Sequence, residues 1–269
     1  MARPLQRCPM CKETKEVAKS HLLPKSLYLH LQDGKSSPVI VANGVVMPSD
    51  RQIAAYLLCD DCEDILNKKG EAWVCPKLGW WDRRFELYDM LEKAGGHIAG
   101  DGEGMFYAKN NPQIDVEKIV HFATGIFWRA AVHSWKGGVT EPMIDLGWDV
   151  DEIRRYLRGE ASFPKQALIT MVISTPPTMQ ITMNQPVEIP VKWGWRVWSF
   201  HVLGVLFSLN LGWSITAIHK DTCFYRSPAN LVLVSQNVAR QWEQRQARQF
   251  HEARKTQAYR KMEEKRRKG

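Results

Sequence analysis

The sequence predicts an α+β fold, and three observations carry that prediction. Two C-x-x-C pairs stand near the N terminus, at Cys8/Cys11 and Cys59/Cys62. The hydrophobic period changes beyond about residue 160, from helical spacing to stretches rich in Val, Ile, Thr and Trp. The last thirty-odd residues are basic and contain no proline. These features divide the 269 residues into segments 1–70, 71–234 and 235–269. A hydrophobic content of 44% is enough for a substantial core.

In the first segment, Cys8-Pro9-Met10-Cys11 is followed by Ser20-His21-Leu22-Leu23-Pro24. Asp33-Gly34 and Asn43-Gly44 are turn signals around Val39–Val41 and Val45–Met47, so a β-hairpin is expected between the cysteine pairs. Glu63 to Lys69 reads as a helix. In the middle segment, Arg83 to Ala94 is amphipathic. Asp115 can cap a helix over 116–135 that is apolar nearly all round, which marks it as central. Asp149 and Glu152 fit a capping box for a helix ending at Gly159. Residues 95–104 hold five glycines and read as a loop, because no Gly-Lys-Ser/Thr ending makes them a phosphate loop. An antiparallel sheet is expected over 165–234, with strands at 167–174, 180–183, 192–209 and 213–219. The basic tail reads as one long helix.

The four cysteines carry the most specific chemistry. Two residues between sulfurs let both thiolates face one ion, and two such knuckles close a tetrahedral site suited to Zn²⁺. Forty-seven residues separate the knuckles, so the chain between them must fold back. Two pairs without a βαβ pattern argue against a redox C-x-x-C. Metal-bound thiols suit a reducing, cytoplasmic compartment better than disulfides do. Cys75 and Cys223 are expected to be ordinary buried residues.

The arrangement C-P-M-C, S-H-L-L-P and L-L-C-D-D-C-E resembles the HNH, or ββα-metal, nuclease module in its four-cysteine, treble-clef form. The resemblance implies that Cys8, Cys11, Cys59 and Cys62 hold a structural zinc. It also implies that His21 is the general base, that Pro24 is the family proline, and that a divalent ion such as Mg²⁺ assists. Ser20 stands where that family has an acidic residue or His, and Glu63 where it has a His after the second knuckle. No Asn lies just before Cys59. Glu63 can replace the missing ligand through oxygen, and is the second candidate catalytic residue. The same residues, with Phe127-Trp128-Arg129-Ala130, resemble a group of bacterial and phage proteins of unassigned function.

The net charge of +8 is concentrated in the tail: residues 236–269 carry eleven Lys or Arg and four Glu, leaving +1 for the rest. Such a segment suits a nucleic acid, DNA in the nuclease reading, with docking to a protein as the alternative use. The apolar run from Val197 to Leu211 contains His201 and Asn210 and is short for a membrane span, so it reads as a buried strand pair and no membrane role is expected. The start of the chain shows no signal-peptide pattern. Arg129, on an apolar helix, is expected to pair with a buried acid or with carbonyls. The function expected is DNA hydrolysis by an HNH-type endonuclease. The alternative is a non-catalytic zinc scaffold that binds nucleic acid or protein.

Overall fold

The computed structural model describes residues 2–31, 39–42, 45–48, 52–99, 102–135, 142–176, 182–191 and 194–238, with scattered positions beyond; for 39–42 and 45–48 it describes the backbone. Strands β1 (Leu5–Arg7) and β2 (Thr14–Glu16) form a hairpin whose turn carries the first cysteine pair. β3 (Lys19–His21) leads to a single helical turn, α1 (Leu27–His30). β4 (Val39–Ala42) and β5 (Val45–Pro48) form the expected antiparallel hairpin; both turn signals, at 33–34 and 43–44, lie outside the described residues. β6 (Ala54–Tyr56) then returns to pair antiparallel with β3, setting His21 opposite Ala54. Helix α2 (Asp60–Leu66) follows at once and runs through a π-helical segment, Asn67–Glu71, into α3 (Ala72–Val74).

Helix α4 (Glu86–Ala94) precedes β7 (Gly96–Ile98) and β8 (Glu103–Tyr107). These two strands correct the expectation of a loop over 95–104. Glycine weakens a strand signal, yet here close approach requires it. A Cβ at Gly96 would stand 2.1 Å from the Met105 carbonyl oxygen, and one at Gly104 2.0 Å from that of His97.

Helix α5 (Val116–Val132) starts as expected, with the Asp115 carboxylate accepting the Lys118 N–H at 3.1 Å. Helix α6 (Asp149–Arg158) ends on left-handed Gly159, but Asp149 and Glu152 do not cap it. Both carboxylates instead accept hydrogen bonds from the Gln166 side chain. The remaining elements are β9 (Ala167–Ile173), β10 (Val187–Ile189), β11 (Arg196–Val202), β12 (Val205–Leu211), the short helix α7 (Ala217–Thr222) and β13 (Leu231–Ser235). No strand forms over 213–219. That stretch holds a turn and then α7.

Seven strands make one sheet in the order β10-β11-β12-β9-β13-β8-β7. The sheet is mixed, not antiparallel, because β13 runs parallel to β9. β11 and β12 are the buried strand pair, joined at Leu203-Gly204. α5 lies on one face, with Phe122 and Phe127 edge-on to Phe207 and Phe200 at 5.9 and 4.9 Å. Its other side meets the π segment, α3 and α6. Cover on both sides explains why α5 is apolar all round. One continuous core therefore runs from Cys8 and Met10, through α5, to Val234 on β13. Cys75 and Cys223 are buried, as expected.

No helix among the described residues is long and apolar enough to cross a membrane. Residues 236–238 are helical, and most of the basic tail beyond them lies outside the described residues.

Candidate metal centre

The first cysteine knuckle is a tight turn. The Lys12 N–H donates to the Cys8 carbonyl and the Cys8 N–H to the Glu13 carbonyl, both at 2.8 Å. Lys12 adopts the left-handed region, φ 67°, to close it. The second knuckle is the first turn of α2: Cys59 is its N-cap, and the Cys62 and Glu63 N–H groups both donate to the Cys59 carbonyl at 3.0 Å. Exposed ion pairs from Arg3 to Asp60 (2.5 Å) and from Lys15 to Asp61 (3.1 Å) hold the hairpin against α2.

This docking gathers all four sulfurs within 4.8 Å of one another, with Cys11 and Cys59 Sγ 3.8 Å apart. A tetrahedron of Zn–S bonds of about 2.3 Å has edges of about 3.8 Å, so the spacing suits a thiolate-bound ion. The Cys8 thiol is drawn down to about 4, chiefly by its hydrogen bond with Cys62. Cys62 is pushed up by that same bond and by burial, and Cys59 by burial. Four thiolates side by side repel one another, and a bound cation removes that repulsion. The group can therefore hold a metal ion.

Helix α6 closes over the cluster. The Arg158 guanidinium donates to Cys62 Sγ at 4.0 Å, and Arg154 donates to the Met10 carbonyl inside the first knuckle at 3.0 Å. Neither arginine was marked by a sequence motif. Both stand where an ion ringed by thiolates needs positive charge nearby.

His21 ends β3 and is half-buried. Burial draws its imidazole pKa below the ordinary value, and the Glu63 carboxylate opposes that draw. His21 is thus largely neutral at pH 7 and able to accept a proton. Ser20 is engaged in the fold. It is 1% exposed, and its Oγ accepts the Leu58 N–H at 3.0 Å, which ties β3 to the chain entering the second knuckle. Among the described residues, the four cysteines are the sole group of three or more His, Cys, Asp or Glu side chains able to share an ion. His21 and Glu63 belong to no such group among the described residues.

Two further residues complete the surroundings. Arg129 is 2% exposed; its Nη1 donates to the His21 carbonyl at 2.7 Å and the Leu22 carbonyl at 3.3 Å, and its Nη2 pairs with Glu71. Arg129 was expected to pair with a buried acid or with carbonyls, and it meets both. Burial pulls the guanidinium pKa down and Glu63 opposes it. Glu71 carried no signal in the sequence, because eight residues of regular α-helix would turn it off the face that carries Glu63. The π segment changes that phase, since each π turn takes more residues than an α turn.

Comparison with protein-family models, curated proteins and solved structures finds no match. The reading of the site rests on its own residues.

Proposed function

We propose that the chain is a metal-dependent endonuclease of the HNH type that hydrolyses DNA phosphodiester bonds. The observation that carries the reading is His21, a half-buried imidazole whose pKa burial lowers, at the end of a strand of the four-cysteine module. Zinc at Cys8, Cys11, Cys59 and Cys62 is structural in this reading, and it gives the first segment its treble-clef form. His21 accepts a proton from water, the water oxygen attacks phosphorus, and the bond to the leaving sugar oxygen breaks. Glu63 supplies a carboxylate for a divalent ion such as Mg²⁺. When bound, that ion would stabilise negative charge on the phosphate and on the leaving oxygen. The basic tail adds phosphate contacts that weaken with salt.

The engagement of Ser20, and the absence of His21 from any metal-binding group among the described residues, favour a second reading, a non-catalytic zinc scaffold that binds nucleic acid or protein. A plasmid-nicking assay with Mg²⁺, Mn²⁺ or Ni²⁺ separates the two. The nuclease reading expects cleavage by the wild type and at least a hundredfold loss in His21→Ala, the scale of a missing general base. Equal cleavage by both proteins, or none with any of the three metals, leaves the scaffold reading.

A further inference from the structure

Around Arg129, a buried cation joins the cysteine centre to His21. Glu63 follows the ligand Cys62 directly, and its Oε1 is buried with no hydrogen-bond partner among the described residues. Its negative charge favours the charged forms of His21 and Arg129, against the effect of burial. Glu71, two turns further along the same helical run, pairs with the guanidinium. From the other side, Nη1 of Arg129 holds the His21 and Leu22 carbonyls. The end of β3 is thus fixed at two points. Ser20 ties it to Leu58, just before Cys59, and Arg129 ties it to Glu71 on the helical run that begins at the second knuckle.

We infer that Arg129 is the positioning residue through which metal occupancy of the four-cysteine site sets the placement of His21. With Cys59 and Cys62 ligated, the first turn of α2 is held, and with it the helical run that sets Glu71 against the guanidinium. Arginine does not give up its proton in a protein, so a buried guanidinium whose carboxylate moves away must itself move. The strand end that it holds then moves too. Loss of the ion releases the α2 turn, shifts Glu71 at the end of the same helical run, and frees His21 from its half-buried seat. The coupling does not depend on the nuclease reading, because it concerns where His21 sits and not what it does.

The test is diethylpyrocarbonate labelling of the full chain, read histidine by histidine by mass spectrometry, with zinc bound and after chelation. Fully buried His201, on the far side of α5, reports whether the fold persists. In the wild type, chelation should speed His21 labelling at least tenfold while His201 stays protected, and added zinc should reverse the change. Arg129→Lys keeps the charge but loses the fork that reaches two carbonyls and a carboxylate. It should label His21 at the fast rate even with zinc bound, and zinc should not slow it. Glu71→Gln, at a less buried position, should give the same pattern if Arg129→Lys fails to fold. Zinc stoichiometry, measured by release to a chromogenic chelator, should stay at one per chain in the variant used. The inference is overturned by either of two results. One is slow His21 labelling in zinc-bound variants; the other is His201 labelling together with His21 on chelation, which would mean global unfolding. Neither result bears on DNA cleavage, so this test and the nicking assay fail separately.

Discussion

Arg129 and Glu71 show at the scale of single residues how a charge survives in an apolar interior. The guanidinium is 2% exposed and the Glu71 side chain 16% exposed. A buried pair contributes little net stability, because desolvation offsets the attraction, but removing one partner leaves the other charge stranded. Glu71→Gln should therefore destabilise the protein by about 3 kcal/mol. Asp60→Asn, which breaks the exposed pair with Arg3, should cost under about 1 kcal/mol. Urea unfolding of both variants checks the contrast, and equal losses would contradict it. The sequence made Arg129 legible, since a lone arginine on an apolar helix needs a partner. It did not make Glu71 legible, because pairing depends on a helical phase that no residue pattern announces.

At the scale of elements, the contact between the π segment and α5 is set by backbone approach. A Cβ at Gly70 would lie 2.8 Å from the Phe122 backbone nitrogen and 3.0 Å from its Cα. Those atoms belong to a helix packed on both sides and cannot yield singly. At Gly125 the nearest atom is the Leu66 Cδ2 at 3.3 Å, the end of a flexible side chain. Alanine gains about 1 kcal/mol over glycine inside a helix, and overpacking costs about 1–3 kcal/mol. Gly70→Ala should therefore lower the urea midpoint, while Gly125→Ala should leave it near the wild-type value. A Gly70→Ala variant as stable as the wild type would mean that α2 and α5 can slide apart freely. Helices α4, α5 and α6 were readable from amphipathic spacing and caps, within a few residues at their ends. The β7–β8 hairpin and α7 were not. In the hairpin, glycines needed for close strand approach mimic a loop; over 213–219, strand-like composition was overridden by a local turn.

On the scale of the whole molecule, buried histidines set the response to acid. His201 on β11 is 3% exposed, and burial lowers its pKa to about 3. His30 and His121 are buried and lowered for the same reason. The unfolded chain takes up these protons near pH 6.5, whereas the folded chain excludes them. Stability from this source is complete above about pH 6.5 and is lost as pH falls towards 3. A tenfold difference in proton affinity between the folded and unfolded chain corresponds to about 1.4 kcal/mol. Urea midpoints measured from pH 7 to 4 should fall steadily in the wild type and less steeply in His201→Gln. Identical slopes would show that His201 titrates normally in the folded state. The same core explains why the first segment is continuous with the rest: Cys8, Met10, Cys59 and Cys62 pack into the cluster that also holds α5 and the sheet.

Four cysteines in two knuckles able to share a metal ion, a hairpin between those knuckles, and a capped apolar helix at the centre are all legible in the order of residues. Those features are local: they depend on spacing, capping and turn residues within a few positions of one another. The order of the seven strands, the parallel pairing of β13 with β9, the engagement of Ser20 with Leu58, and the pairing of Glu71 with Arg129 behind His21 are products of tertiary packing. Each of these joins residues far apart in the chain, and which distant residues meet is fixed by how the elements bury their apolar faces together.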